Sequence, residues 1–180
     1  ISGRAAHAGL EPHKGVNALV ELAHQVSAID QIGQPDVGTT VTPTVATAGT
    51  TDNVVPAEAR IKVDARVESA SEKERVEAAM AALSVVDPNA SLTVLGHIGR
   101  PPMPESASAA LFPIAEAVSP GIEGLAVGGG SDGNFTAAIG VPTLDGLGAV
   151  GGGAHATSEH VVIDTMPARA ALVANIVAGI

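Results

Sequence analysis

The segment ARIKVDARV, residues 59–67, alternates strictly between apolar and charged side chains. Successive side chains of a β-strand point to opposite faces of its sheet, so the pattern predicts a strand with one core face and one solvent face. Five apolar residues share the predicted core face: Ala59, Ile61, Val63, Ala65 and Val67. Four charged residues share the predicted solvent face: Arg60, Lys62, Asp64 and Arg66.

Two helices and three further strands are predicted around this segment. Apolar residues recur at helical spacing over residues 14–31, and Ser71 with Glu74 forms a capping box at the start of a second helix. The opening ISGRAAHAG is predicted to be the end of a strand that runs into a turn, and the segments TTVTPTVATAG and SLTVLGHI are predicted strands. Pro43 cannot donate to a ladder, so its strand should lie at an edge or carry a bulge.

The resulting order, β-α-β-β-α-β, is that of a ferredoxin-like sheet with two helices on one face. We expect it to fill residues 1–100, with strands and helices ending near residue 98. The proline-rich GRPPMPES marks the boundary with a second part, residues 101–180.

The sequence of residues 101–180 predicts an α/β segment with three helices and two short strands. The first helix carries Leu111 and is expected to kink at Pro113. A strand then precedes GGGSDGN, Ser131 caps the second helix, and VPTL forms the other strand. The last helix covers residues 165–179, with Asp164 or Thr165 as its cap and Pro167 in its first turn. So few strands indicate half of a larger α/β domain.

Composition excludes several function classes. A net charge of −10 and the absence of Trp and Tyr argue against nucleic-acid binding. No apolar stretch is long enough to span a bilayer, and no signal peptide opens the chain, so we expect neither membrane attachment nor export but a cytoplasmic protein. The absence of cysteine excludes disulfides and thiolate zinc sites. Because the chain begins with Ile1, we expect a mature product or a fragment.

Two glycine-rich segments could carry chemistry. His155, in GGGAHATSEH, is either a metal ligand or a surface-loop histidine, and a single ligand cannot hold a zinc ion. GGGSDG, residues 128–133, could present backbone N–H groups to an anion or could simply connect a strand to a helix.

Four other residues are ambiguous when taken singly. His7 lies in a short turn after a strand, and Asn53 lies in a hairpin-like loop where turn propensity alone explains it. Arg66 and Arg100 could clamp a carboxylate. Arg66 could equally pair with Asp64 or Glu68 on a solvated face, and Arg100 could be exposed in its loop.

Taken together, six motifs occur in one order along the chain: GRAAHAG, GVNALVEL, TDNVVPAEARIKVDAR, GRPPM, GGGSDG and GGGAHATSEHV. This ordered set resembles the dinuclear-zinc exopeptidase family of aminoacylases, succinyl-diaminopimelate desuccinylases and glutamate carboxypeptidases, above all the glutamate carboxypeptidase branch. The resemblance covers essentially all 180 residues. It implies a ferredoxin-like dimerisation domain, followed by the C-terminal segment of a zinc-binding catalytic domain.

The resemblance also implies site residues. His155 matches the last ligand of one of two zinc ions. His7 matches a histidine that reaches into the partner subunit's site and polarises the scissile carbonyl, and Asn53 matches an asparagine that assists it. Arg66 and Arg100 match arginines that bind the substrate's terminal carboxylate. Two loop residues match the lining of the substrate cleft: Gly130 and Ser131.

The family's other metal ligands and its paired glutamates are missing from the chain. We therefore expect an inactive fragment that lacks the N-terminal catalytic part, binds one zinc ion or none, and forms a homodimer through residues 1–98. The parent enzyme would release a glutamate-like amino acid from N-acyl or peptide substrates. Two alternatives remain: a free-standing ferredoxin-like module that dimerises or binds a small ligand, and an anion-binding protein that uses GGGSDG. The second alternative needs a nearby basic residue, and none lies within ten positions in sequence.

Overall fold

The computed structural model describes residues 1–180 and divides them between two units, Ile1–Gly99 and Arg100–Ile180. The helices are α1 (Ala18–Asp30), α2 (Ala70–Ala81), α3 (Phe112–Val118), α4 (Gly133–Ala138) and α5 (Met166–Ala178). The strands are β1 (Thr40–Ala48), β2 (Ala59–Arg66), β3 (Gly151–Gly152) and β4 (His160–Val161). The chain is thus a mixed α/β protein with short antiparallel sheets, as predicted. None of its helices has the length and hydropathy that crossing a bilayer requires.

The alternating segment forms β2 with the predicted register. Ala59 is buried, Ile61 and Val63 are half-buried, and the charged residues between them are exposed. Ile61 and Val63 pack against a core cluster to which both α1 and α2 contribute. Four buried residues form that cluster: Ile29, Ile32, Val41 and Val76. The prediction of two helices on one sheet face is therefore confirmed.

Strand β1 is both an edge strand and a bulged strand. It pairs antiparallel with β2 alone, from Thr40 opposite Arg66 to Ala48 opposite Ala59. The register shifts between Pro43 and Val45, which is the signature of a β-bulge. Proline lacks the N–H that a regular ladder would use at this position, so the prediction from its chemistry is confirmed.

The prediction of four full strands is wrong, because the first and last segments of the expected sheet form only isolated bridges. Ser2 bridges both Glu58 and Ser91, whereas Arg4 exchanges backbone hydrogen bonds with Val16. The opening residues thus bond to several different segments, and no ladder forms. In the later segment Leu95 is 88% exposed, and its neighbour Gly96 has φ +94°, which interrupts an extended chain.

Both helices of the first unit begin at a different residue from the predicted one. Asn17 caps α1, since its Oδ1 accepts hydrogen bonds from the N–H groups of Leu19 (3.0 Å) and Val20 (3.2 Å). Ser69, not Ser71, caps α2 by accepting from the N–H of Glu72 at 3.2 Å. The predicted capping box is therefore misplaced by two residues.

A buried carboxylate joins α1 to the chain that follows α2. Glu21 is only 2% exposed and accepts hydrogen bonds from the N–H groups of Val86 (3.1 Å) and Asp87 (3.0 Å) and from Gln25 Nε2 (2.7 Å). Burial alone would raise the pKa of Glu21, but these three hydrogen bonds and the nearby His24 outweigh it and lower the pKa. The ionised carboxylate therefore stabilises the first unit.

The second unit packs α3 against α5 around Ala115, Leu172 and Ile176. Pro113 lies in the first turn of α3 and produces no kink, because a proline there replaces an N–H that has no helical partner. Pro167 occupies the predicted first turn of α5.

Several local predictions for the second unit are wrong. Neither the segment before GGGSDGN nor VPTL forms a strand, since a strand needs a paired neighbour and none lies beside them. The only ladder, β3 with β4, lies around the glycine loop instead. Asp132 occupies the N-cap position of α4, although Ser131 Oγ accepts the N–H of Gly133 at 3.0 Å. Thr165 occupies the N-cap position of α5, but its hydroxyl donates to the Val162 carbonyl and accepts no N–H from the first turn of the helix.

Candidate functional site

The imidazole of His7 is fixed by two backbone N–H groups. Its Nδ1 accepts hydrogen bonds from the N–H of Gly9 and the N–H of Leu10, each at 3.1 Å. A ring nitrogen that accepts carries no proton, so the neutral imidazole carries its proton on Nε2. His7 is exposed, and its ring can therefore present one N–H donor to a group that approaches the turn.

Asn53 lies on the segment directly beside His7. The Asn53 carbonyl accepts the N–H of Ala8 at 2.9 Å, and His7 bridges Val54 in antiparallel fashion. The Asn53 side chain accepts from the Thr51 hydroxyl at 3.3 Å through Oδ1, and its amide N–H groups have no partner within the chain. The structure thus brings together two of the residues that the sequence singles out, from positions 46 apart.

Arg66 lies far from this pair. It ends β2 opposite Thr40, whereas Asn53 lies in the loop that follows Ala48 at the other end of the hairpin. The eight residues of β2 separate the two ends by about 23 Å at 3.3 Å per residue. Arg66 Nε donates to Asp64 Oδ2 at 2.8 Å, so the interpretation as a partner of Asp64 is confirmed, and this contact raises the pKa of Arg66.

Arg100, Gly130, Asp132 and Phe135 meet in the second unit, and we call them the Arg100 cluster. The guanidinium carbon lies 5.1 Å from the centroid of the Phe135 ring, and Nη1 lies 4.0 Å from Asp132 Oδ1. A Cβ at position 130 would lie 2.7 Å from Arg100 Cδ, so a larger residue there would displace the Arg100 side chain from this position. The fold therefore brings to GGGSDG the basic residue that is missing from its sequence neighbourhood.

Asn134 holds the glycine loop of this cluster in place. Its Nδ2 donates to the Pro101 carbonyl at 2.9 Å, and its Oδ1 accepts the N–H of Ser131 at 2.9 Å. The loop containing Ser131 is thereby attached to the residue that follows Arg100. Sequence reasoning missed both Asn134 and Phe135, although Phe135 is one of only two aromatic residues in the chain.

His155 has an unusual backbone conformation. With φ +64° it is the one non-glycine residue of the chain in the left-handed region. It lies in the loop between β3 and β4, where Gly151 pairs with Val161 and Gly152 with His160. Such strain persists only where the surroundings impose it, and it is concentrated at functional positions. The exposed imidazole is thus presented by a tightly defined loop.

Replacing His155 with glycine should stabilise the second unit by up to about 1 kcal/mol, because glycine adopts positive φ without a Cβ clash. His160→Gly is the matched control, since it places the same change in the neighbouring strand and should destabilise. Urea unfolding followed through the amide NMR signals of residues 100–180 measures both. A loss of stability in His155→Gly would show that the loop imposes no strain there.

No group of three or more His, Cys, Asp or Glu side chains lies close enough together in this chain to hold a metal ion. A catalytic zinc ion uses three protein ligands. The residues present therefore do not fit a complete zinc site, and any metal bound by His155 would need ligands from elsewhere.

Comparison with known proteins links both units to peptidases. Residues 1–85 match the family model of the M20 peptidase dimerisation domain. Over 98% of its length the chain is 32% identical to carboxypeptidase G2 of Pseudomonas sp. strain RS-16, of which it spans 45%. Over 37% of its length it is 38% identical to a Haemophilus influenzae homolog of a p-aminobenzoyl-glutamate hydrolase subunit, of which that match spans 16%.

Solved structures share the fold. Aminopeptidase PepT of Bacillus cereus matches 98% of this chain with a TM-score of 0.61 and 25% identity, over 48% of its own chain. A tripeptidase of Staphylococcus aureus matches 97% with a TM-score of 0.66 and 24% identity, over 48% of its own chain. The chain thus spans less than half the length of these relatives.

Proposed function

Because residues 1–85 belong to the M20 peptidase dimerisation domains and the chain is homologous to carboxypeptidase G2, we propose that it is part of a zinc-dependent exopeptidase or amidohydrolase. The parent enzyme releases a C-terminal, glutamate-like amino acid from N-acyl or peptide substrates. The names of the two curated relatives support this substrate class, since one is a carboxypeptidase and the other a homolog of a p-aminobenzoyl-glutamate hydrolase component.

The orientation of His7 is the observation that carries the proposal. Two backbone N–H groups occupy Nδ1, so the neutral ring offers a donor from Nε2 and cannot act as a base through Nδ1. A fixed N–H donor is what a carbonyl oxygen needs as negative charge develops on it. We assign this role to His7 in the partner subunit's site, with the neighbouring Asn53 amide as a second donor.

The remaining residues bind substrate and metal in our proposal. Arg66 and Arg100 bind carboxylates, and Gly130 with Ser131 lines the cleft. His155 contributes one ligand to one of two zinc ions, and the other ligands come from the part of the parent that lies outside residues 1–180. Because the residues present hold no complete metal site, we derive no step of the reaction through the metal.

A dimerisation domain implies self-association, and we propose a homodimer formed through residues 1–98. Two surfaces of the first unit support this assignment. The outer edge of β1 is unpaired, and α1 exposes Leu19 (48%) and Val20 (53%). Both surfaces lie on the same unit and are free to meet a second copy across a two-fold axis.

The longer gene product that contains this chain should release glutamate from p-aminobenzoyl-glutamate, whereas the purified 180-residue chain should release none, because it lacks most of a metal site. Glutamate is quantified enzymatically, with p-aminobenzoyl-leucine as the control for a glutamate-like preference. Hydrolysis by the 180-residue chain alone would refute its inactivity. An inactive longer product would favour the ferredoxin-like binding module instead.

A further inference from the structure

Arg100 differs from the other arginines of the chain in what holds its guanidinium. Four of the other five donate hydrogen bonds to a carboxylate or to backbone carbonyls: Arg4, Arg66, Arg75 and Arg169. The fifth, Arg60, is exposed, and its guanidinium has neither a hydrogen bond nor a ring contact. Arg100 donates none, because the nearest carboxylate oxygen, on Asp132, is 4.0 Å away and lies on a fully exposed side chain. Such a pair contributes little to fixing the arginine.

The guanidinium of Arg100 is instead held by an aromatic ring. It lies over Phe135 at 5.1 Å from the ring centroid, within the range of a cation–π contact. A ring attracts the positive charge without accepting conventional hydrogen bonds, so all five N–H groups stay available. The contact also uses one of only two aromatic residues in the chain, Phe112 being the other.

The stem of Arg100 is confined as well. Gly130 lies so close to Arg100 Cδ that a methyl group would not fit between them. The loop carrying Gly130 is in turn attached through Asn134 to Pro101, the residue after Arg100. Gly130 thus restricts the aliphatic part of the Arg100 side chain, and Phe135 contacts the guanidinium. The N–H groups of the guanidinium have no hydrogen-bond partner.

We propose that Phe135 is the positioning residue for Arg100 and that it holds the guanidinium as a preorganised receptor for a substrate carboxylate. This inference rests on the proposed function, which gives Arg100 a carboxylate to bind. It adds the residue that presents the arginine. Preorganisation raises affinity because the side chain loses less freedom on binding.

The test uses the 180-residue chain and N-acetyl-L-glutamate as the probe, with N-acetyl-L-glutamine amide as the uncharged control. The ¹H–¹⁵N signal of Arg100 Nε should shift saturably with the probe and not with the control. Phe135→Leu should weaken binding about two- to five-fold, which is the range expected for an exposed cation–π contact. Phe135→Tyr should retain wild-type affinity, because it keeps the ring. Phe112→Leu removes the other ring and should also leave affinity unchanged.

The proposal is overturned if Phe135→Leu binds the probe as well as the wild type does, or if Phe135→Tyr binds as weakly as Phe135→Leu. It is also overturned if the probe leaves the Arg100 signal unmoved. These results are independent of hydrolysis. An inactive longer gene product with the expected binding pattern would remove the proposed function and leave the role of Phe135. An active longer gene product whose Arg100 signal does not respond to the probe would keep the proposed function and remove the role of Phe135.

Discussion

In the parent enzyme that we propose, replacing His7 with alanine should lower kcat about 10²- to 10³-fold, with little change in KM. Removing one donor to a developing oxyanion has a cost of this size, because the interaction strengthens mainly in the transition state. Steady-state kinetics of glutamate release measure the effect. His13→Ala is the matched control, since His13 is an exposed histidine in the short 3₁₀ turn Pro12–Lys14 and should be neutral.

The same variant tests whether His7 acts in its own subunit or in the partner. His7→Ala and His155→Ala subunits should each be inactive as homodimers. After mixing and exchange, about half of the dimers are mixed, and each has one site with both histidines intact if His7 acts across the interface. We therefore expect about a quarter of wild-type activity in the mixture. No recovery in a mixture shown to exchange would mean that His7 serves its own subunit.

Replacing Glu21 with alanine should destabilise the first unit by about 3 kcal/mol. The change leaves three N–H groups without their acceptor: those of Val86 and Asp87, and one of the two on Gln25 Nε2, whose other N–H keeps the Ser84 carbonyl. Each unsatisfied buried donor costs about 1–3 kcal/mol. Water can relieve part of this loss, because Glu21, Val86 and Asp87 line a cavity of about 200 Å³, so we place the effect at the lower end of the sum.

Urea unfolding, followed through amide NMR signals because the chain has no Trp or Tyr, measures this loss. Glu74→Ala, an exposed glutamate on α2, is the control and should change stability by less than about 0.5 kcal/mol. The pKa of Glu21 is lowered in the fold, so its contribution is present above the unfolded pKa of about 4.3 and is lost as the pH falls through the folded value. The two proteins should therefore converge in stability in acid, and an equal difference at all pH values would contradict the role of the ionised carboxylate.

Short sequence patterns correctly predicted the features of the fold that depend only on neighbouring residues. The register of β2 follows from the alternation of residues 59–67, and the bulge in β1 follows from Pro43. The strands expected at the start of ISGRAAHAG and in SLTVLGHI do not form, for the opposite reason. Their pairing depends on which distant segments lie beside them, and the backbone of Ser2 divides its bonds between Ser91 and the region of Glu58.

In the candidate site, too, sequence motifs identified individual residues but not the contacts between distant segments. The ordered motifs singled out His7, Asn53 and His155, but they contain no sign that Nδ1 of His7 is occupied or that His155 has positive φ. The contact of Arg100 with Phe135 joins residues 35 positions apart, and Glu21 bonds across 65 positions. No periodicity in the sequence encodes contacts at such separations.

The length of β2 has a genetic consequence. Arg66 stands about 23 Å from the strand end nearest His7, whereas an N-acyl amino acid is only about 10 Å long. If both residues serve the roles we propose, one copy cannot apply both to the same substrate molecule, and each substrate is held by residues from two copies. Two alleles that are each inactive alone, one damaged at His7 and the other at Arg66, would then complement each other when co-expressed. Each mixed dimer has one site that combines the intact Arg66 of one copy with the intact His7 of the other, so about a quarter of wild-type activity is expected.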